Sequence, residues 1–231
     1  MKVGAICFAV CLSAAVAFAA VSKDEAKRLS QAGAILTELR NTPDKGIPEN
    51  LWAKAHCVIV IPSMKKAAFI VGGEYGSGVM SCRTADGWSN PVFMQLAKGS
   101  WGLQIGGEAV DLVLLVMNDR GVDKLLEDKV SLGGDAAVAA GPIGRSATAA
   151  TDAQMGAEML AYSRAQGVFA GIDLSGGVLR PDKEADARAY GASAKAAEII
   201  RGTNHAMRGP AEAAPFIAAL KADVGHPAPR Q

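Results

Sequence analysis

The chain changes its hydrophobic period twice, which divides it into a helical entry, a strand-rich centre and a helical exit. In "SKDEAKRLSQAGAILTELRN", Ala26, Leu29, Ala32, Leu36 and Leu39 recur at the spacing of one helix face. Ser22, with Glu25 three positions on, forms a capping box, and a first helix is predicted over residues 23–40. The linker "NTPDKGIPEN" breaks it before a short helical turn at Leu51 to Lys54. From Cys57 the period becomes that of strands: "CVIVIP", "AAFIVGG", "GVMSCR", "PVFMQLA", "SWGLQIGG" and "VDLVLLVM" are short runs separated by Gly, Pro, Ser and Asn. A short helix, "DRGVDKLLED", interrupts them, and further strands are expected in "KVSLGGDAAVAAGP", "EMLAYSR" and "GVFAGIDLSGGVL". Two helical segments close the chain: "PDKEADARAYGASAKAAEIIRG", broken near Gly191, and "GPAEAAPFIAALKADVG", with Pro210 near its start and Gly225 past its end. The predicted fold class is α+β, with an antiparallel β-sheet meander or partial barrel core flanked by helices.

Glycine placement refines this picture. In "FIVGGEYGSGVMSCR", Gly73, Gly76 and Gly78 read G-x-x-G-x-G, the reverse of a dinucleotide fingerprint. The next stretch, "VMSCRTADGW", alternates like a strand, and no Lys-Ser or Lys-Thr pair succeeds the last glycine. No phosphate cradle is expected. The glycines are read instead as supplying positive φ and close backbone contact where one strand turns into the next. In "SWGLQIGG", Trp101, Leu103 and Ile105 share one face, and Gly102, Gln104 and Gly106 leave the other almost bare backbone. Either a helix of this protein covers that face or an acyl chain lies along it as in a groove. The stripe of the first helix poses the same choice between covering the sheet and entering a bilayer interface.

Charge and targeting narrow the field. The chain has 231 residues, 24 of them Lys or Arg and 23 Asp or Glu, so no overall field draws it to nucleic acid. Its first segment has an early Lys2, an apolar stretch from Val3 to Val21 and Ala17 with Ala19 in an A-x-A exit, which predicts a signal peptide over residues 1–19. An uncleaved membrane anchor is the alternative, and Cys7 and Cys11 lack the lead-in of a lipoprotein signal. Cleavage removes Lys2 and leaves a neutral protein, exported to the periplasm or secreted, with membrane association open to it. Cys57 and Cys82 remain, and alternation turns both toward the core. They either pair as a disulfide or pack as two buried thiols.

Catalysis is not expected. His56, His205 and His226 are the only histidines, without H-x-x-x-H or C-x-x-C spacing or a G-x-S-x-G elbow, so neither metal nor triad chemistry is predicted, and no cofactor. Asp111, Asp135 and Asp173 sit in apolar runs, where a buried carboxyl could act as a general acid; the plainer reading is that they accept backbone hydrogen bonds at strand ends.

The segments "IPENLWAKAHCVIVIPSMKKAAFIVGGEYGSGVMSCR", "GWSNPVFM", "GSWGLQIGGEAVDLVLLVM", "KVSLGGDAAVAAGPIGR" and "AYSRAQGVFAGIDLSGGVLRPDKEADARAYG" together resemble the SYLF domain, also called the Ysc84-type actin- and lipid-binding family. The likeness spans residues 22–203 as one domain, with residues 204–231 as a C-terminal helix and tail. It implies binding to phosphoinositide-containing membranes through an amphipathic N-terminal segment and a basic surface, and actin binding in some eukaryotic relatives. For an exported bacterial member it implies binding to anionic phospholipid. The candidate headgroup contacts are Lys65 and Lys66, read as a hairpin tip in "PSMKKAAF", with Lys23, Lys27 and Arg28, and more weakly Arg83 and Arg145. The expected partner is a phospholipid membrane surface or bound lipid; the competing expectation is a scaffold that binds protein partners in the cell envelope.

Overall fold

The computed structural model describes residues 21–41, 46–68, 71–101, 109–143, 156–165, 168–203 and 207–222. The predicted leader, residues 102–108 of the glycine-bare run and Arg145 lie outside the described residues. Helix α1, Lys23–Arg40, starts where the capping box places it: the Glu25 amide donates to Ser22 Oγ at 3.3 Å and the Ser22 amide donates to Glu25 Oε2 at 2.6 Å. After α2, Glu49–Lys54, come strands β1, Cys57–Ala68, β2, Val71–Thr84, β3, Gly87–Trp88, β4, Val92–Trp101, and β5, Ala109–Val116. Helix α3, Asp119–Leu125, is capped by Asn118, whose Oδ1 accepts from the Gly121 amide. Next come β6, Val130–Ser131, β7, Val138–Ala140, β8, Met159–Ala165, β9, Val168–Gly171, and β10, Gly177–Pro181. Helices α4, Lys183–Tyr190, α5, Ala196–Arg201, and α6, Ala214–Lys221, follow.

The strands form one curled sheet in the order β6-β10-β4-β2-β1-β5-β8-β7, with β3 added to β2 and β9 to β8. The architecture is the α+β partial barrel flanked by helices. It is not a simple meander: β5 leaves β4 and pairs with the far side of β1, so the sheet grows outward in both directions from β1 and β2. One pair, β7 with β8, is parallel.

Because β1 is apolar on both faces, both faces must be covered. On one side Val58 and Val60 join Val79, Phe93, Val113 and Leu115, and the α1 stripe Leu29, Ala32, Ile35, Leu36 and Leu39 lies against them. The stripe therefore covers the sheet. Helix α6 packs on α1, and a Cβ at Gly33 would stand 3.0 Å from the carbonyl of Pro215, so only glycine lets the two backbones approach this closely. On the other side Cys57, Ile59 and Ile61 join Met80, Met94, Leu112 and Leu114 under Leu125 of α3 and Ile199 and Ile200 of α5. Cys57 and Cys82 stand directly opposite in β1 and β2 and are disulfide-bonded. With 25 positions between them, the loop-closure model puts the stabilisation at about 3 kcal/mol.

The Gly72 to Gly78 run is part of β2, and none of these glycines has positive φ, contrary to the turn expected there. At Gly76 and Gly78 their use is close approach. The register of β1 slips between Val60 and Lys65, where Ser63 adopts φ 50° and donates its amide to Asp111 Oδ1 at 2.8 Å. The displaced backbone presses on β2: a Cβ on Gly78 would lie 2.2 Å from the Val60 carbonyl oxygen, and one on Gly76 would lie 2.4 Å from Ile61 Cγ2. Gly78→Ala is expected to lower stability by at least about 2 kcal/mol in a denaturant titration, because the clash is with backbone. Gly99→Ala, in the neighbouring strand with no atom within 4 Å of an added Cβ, is the matched control and should stay within about 0.5 kcal/mol.

Candidate functional site

Strand register brings four distant segments into one surface. Lys65 of β1 stands opposite Tyr75 of β2, Tyr75 opposite Ala97 of β4, and Ala97 opposite Val178 of β10. In the next row Ser77 stands opposite Gln95, and Gln95 opposite Arg180. Two residues further along the same strands, Val79 and Phe93 belong to the core beneath α1, so both rows lie on the helix-bearing face. The helices stop short of them. Tyr75 keeps 49% of its surface exposed, and the row beyond it is Gly73 opposite Gly99, which is bare backbone.

The result is a groove of about 690 Å³ with Tyr75, Gln95, Ala97 and Val178 as its floor. Its walls are the segment carrying Asp128 and Lys129, and the start of α4 from Asp182 to Glu184. Its charges do not all cancel in pairs. Asp182 is paired with Arg28 at 3.2 Å, Asp128 with Lys183 at 2.6 Å, and Glu184 with Arg188 at 4.0 Å. The hydrogen bond from Lys183 holds the Asp128 carboxyl below the usual range. Arg180 gives Nε and Nη2 to Gln95 Oε1 at 3.1 and 2.9 Å, which fixes the guanidinium over the floor without neutralising it. Among the described residues Lys65, Lys129 and Arg180 form no ion pair. A chain of net charge +1 thus carries two unpaired cations, Lys129 and Arg180, in a partly apolar trough, with a third, Lys65, at its edge.

The predicted contacts do not converge on one place. Lys65 borders the groove beside Tyr75, but within β1, which runs on to Ala68, rather than at a hairpin tip. Lys66 stands opposite Glu74, and its side chain is outside the described residues. Lys23 and Lys27 are exposed on the first turns of α1 and form no ion pair among the described residues. Arg28 and Arg83 are engaged in holding the fold. Arg28 pairs with Asp182 and lies 5.7 Å from the centroid of the Phe93 ring, tying α1 to the groove wall. Arg83 donates to the carbonyls of Ala55 and Trp52 at 3.0 and 3.3 Å and stacks 4.6 Å over Trp88. Reasoning from the sequence missed Lys129, Arg180, Tyr75 and Gln95. Alternation in "GVLRP" does place Val178 and Arg180 on one face, but nothing local says that β10 pairs with β4.

The singled-out aspartates hold backbone, as their plainer reading had it. Asp111 accepts from Ser63 and pairs with Arg164 at 2.6 Å, and Asp135 accepts from the Ser131 amide at 2.9 Å. Asp173 accepts from the Ser175 hydroxyl and amide, which hold it below the usual carboxylate range. Asp186 of α4, behind the groove wall, is shifted the other way: burial, then the charges of Asp182 and Glu25, raise it to about 7 against the hydrogen bond from the Phe93 amide. Among the described residues no group of three His, Cys, Asp or Glu side chains is placed to hold a metal ion. No helix among them is long and apolar enough to cross a membrane.

The model of the family described as "Ysc84: Las17-binding protein actin regulator" matches residues 97–223. The SH3 domain-containing YSC84-like protein 1 of Rattus norvegicus is 36% identical over 184 residues, which are 78% of this chain and 54% of that protein. The LAS seventeen-binding protein 3 of Saccharomyces cerevisiae is 36% identical over 163 residues, 69% of this chain and 35% of that protein. Protein YSC84 of the same yeast is 34% identical over 163 residues. The chain spans about half the length of the mammalian relative and about a third of the yeast ones.

The different engagement of two neighbouring cations makes a direct test. Arg28→Ala strands the buried carboxylate of Asp182 and should cost about 3 kcal/mol in chemical denaturation. Lys27→Ala, one position earlier on the open side of α1, should change stability by less than about 0.5 kcal/mol.

Proposed function

Given that the chain belongs to the Ysc84-type (SYLF) family, we propose that it is a non-catalytic binding domain that associates with anionic phospholipid. The supporting observation is the groove lined by Lys129 and Arg180 around Tyr75, Ala97 and Val178, with Lys65 beside Tyr75 at its edge; among the described residues none of the three cations has an acidic partner. A basic side chain near an anionic headgroup layer contributes about 1 kcal/mol, so three of them supply about 3 kcal/mol at low salt, and screening removes most of it within a Debye length of about 10 Å at 0.1 M. Tyr75 adds a ring with a polar tip, suited to the boundary between headgroup and chain. Lys23 and Lys27 add to the positive potential near the start of α1. The apolar stripe of α1 is buried, so the groove rather than an inserted helix makes the contact. As part of the same reading, residues 1–19 are removed and the protein acts outside the cytoplasm, in the periplasm or secreted; an intact mass beginning at residue 20 is the expected outcome.

A second reading rests on the family's description as a Las17-binding actin regulator and on the yeast relative's name as a LAS seventeen-binding protein, which point to protein partners and actin. On that view the chain is a scaffold, and the groove receives an acidic segment of another protein.

Co-sedimentation with vesicles separates the two. Capture is expected to rise with the fraction of anionic lipid and to fall with salt, and Lys65→Ala and Arg180→Ala should each weaken it about fivefold. Unchanged isotherms for both variants would remove the groove from the contact. If neutral and anionic vesicles both fail to capture the protein while a stoichiometric protein partner binds, the scaffold reading replaces the lipid one.

A further inference from the structure

Behind the groove wall three carboxylates share one buried site. Glu25 of α1 is 1% exposed, Asp182 at the start of α4 is 6% exposed, and Asp186 within α4 is 2% exposed. Three acids this close and this dry cannot all be ionised without compensation. Two are compensated. Glu25 Oε1 accepts from Arg188 at 2.7 and 2.6 Å while its other oxygen accepts from the Ser22 amide. Asp182 pairs with Arg28 and accepts from the Ala185 amide as the cap of α4. Asp186 has no ion-pair partner among the described residues; Oδ1 accepts a single hydrogen bond, from the Phe93 amide of β4 at 2.9 Å.

The site joins three elements at one point, and its remaining neighbours leave the proton to Asp186. From α1 it is faced by Glu25 and Arg28, and from α4 by Asp182, Arg188 and Tyr190, with Glu184 beyond Arg188 at the surface. From β4 it is faced by the Phe93 amide and ring. Burial holds the Tyr190 phenol neutral far above its ordinary range, and its hydroxyl donates to the Pro91 carbonyl at 2.5 Å. With one proton on Asp186, two guanidiniums balance two carboxylates. Without it, the site carries an unbalanced negative charge out of reach of water.

We propose that Glu25, Asp182 and Asp186 form a proton-dependent latch that fastens α1 and α4 to β4 while Asp186 is neutral and loosens them once Asp186 ionises. Asp182 is at once a member of the latch and a wall of the groove, so the latch sets the position of that wall whatever ligand fills it. The sign is fixed by linkage. A carboxyl raised to about 7 in the closed structure contributes fully below the ordinary range near 3.8, and its contribution is lost as pH rises through about 7. Loosening is therefore an alkaline event.

Hydrogen exchange of the α1 amides in the full chain, corrected for intrinsic rates, reads this directly. If opening returns Asp186 to an ordinary acidity, opening should become about a hundredfold more frequent between about pH 5 and pH 8. In Asp186→Asn, which keeps the oxygen that accepts from Phe93 and cannot ionise, the pH dependence should vanish. Protection that is flat with pH in the unmodified protein, or a pH dependence that survives in Asp186→Asn, overturns the latch. Should that variant fail to fold, the carboxyl carbon of Asp186 in the unmodified protein decides by NMR titration. A midpoint near neutrality supports the latch, and one below about 5 overturns it.

Discussion

Every other feature of this molecule depends on β1 being apolar on both sides. Val58 and Val60 face one way, and Cys57, Ile59 and Ile61 the other, so the sheet is stable only with a layer on each face. Helices α1 and α6 supply one layer, and α3 and α5 contribute to the other. The strands are longer than the layer above them. Where α1 ends its coverage the side chains change character within the same strands, from Val79 to Tyr75 and from Phe93 to Gln95 and Ala97. The groove is the part of a two-sided sheet left with one side open.

How much of this was legible depends on how local the cause is. Helix α1 was readable with its cap and its buried stripe, because Ser22, Glu25 and the leucines act within a few turns. The two-sided character of β1 was likewise visible in "CVIVIP". Partner choice could not be read. The groove exists because β10 pairs with β4 and because β1 slips its register before Lys65, and both depend on segments far apart in the chain. The glycines of β2 show the same boundary. Their number signalled crowding, but whether it came from a turn or from a neighbouring backbone depended on the bulge opposite them. Arg28 and Arg83 look like surface cations in sequence and are fold-holding groups in space, because an arginine's role is set by which carboxylate, carbonyl or ring the fold brings to it.

Net neutrality is a poor guide to local field. The acids near the groove are drawn into pairs, Asp182 with Arg28 and Asp128 with Lys183, while among the described residues Lys65, Lys129 and Arg180 are left over. A surface can thus be locally cationic in a chain whose charges sum to almost nothing, and the surplus sits beside the partly apolar floor of Tyr75, Ala97 and Val178. That coincidence is what a ligand with one charged end and one oily end would recognise.

The contact of Gly33 with Pro215 has a consequence for how the chain reaches this state. Helix α1 ends at Arg40 and α6 begins at Ala214, yet Leu36 and Phe216 lie in one core, so the part of α1 that α6 covers waits for the whole sheet to be made in between. Such ordering raises the mean sequence separation of native contacts and slows assembly, and it leaves a greasy segment waiting for its mate during synthesis. A nascent or C-terminally shortened chain would present that segment to chaperones.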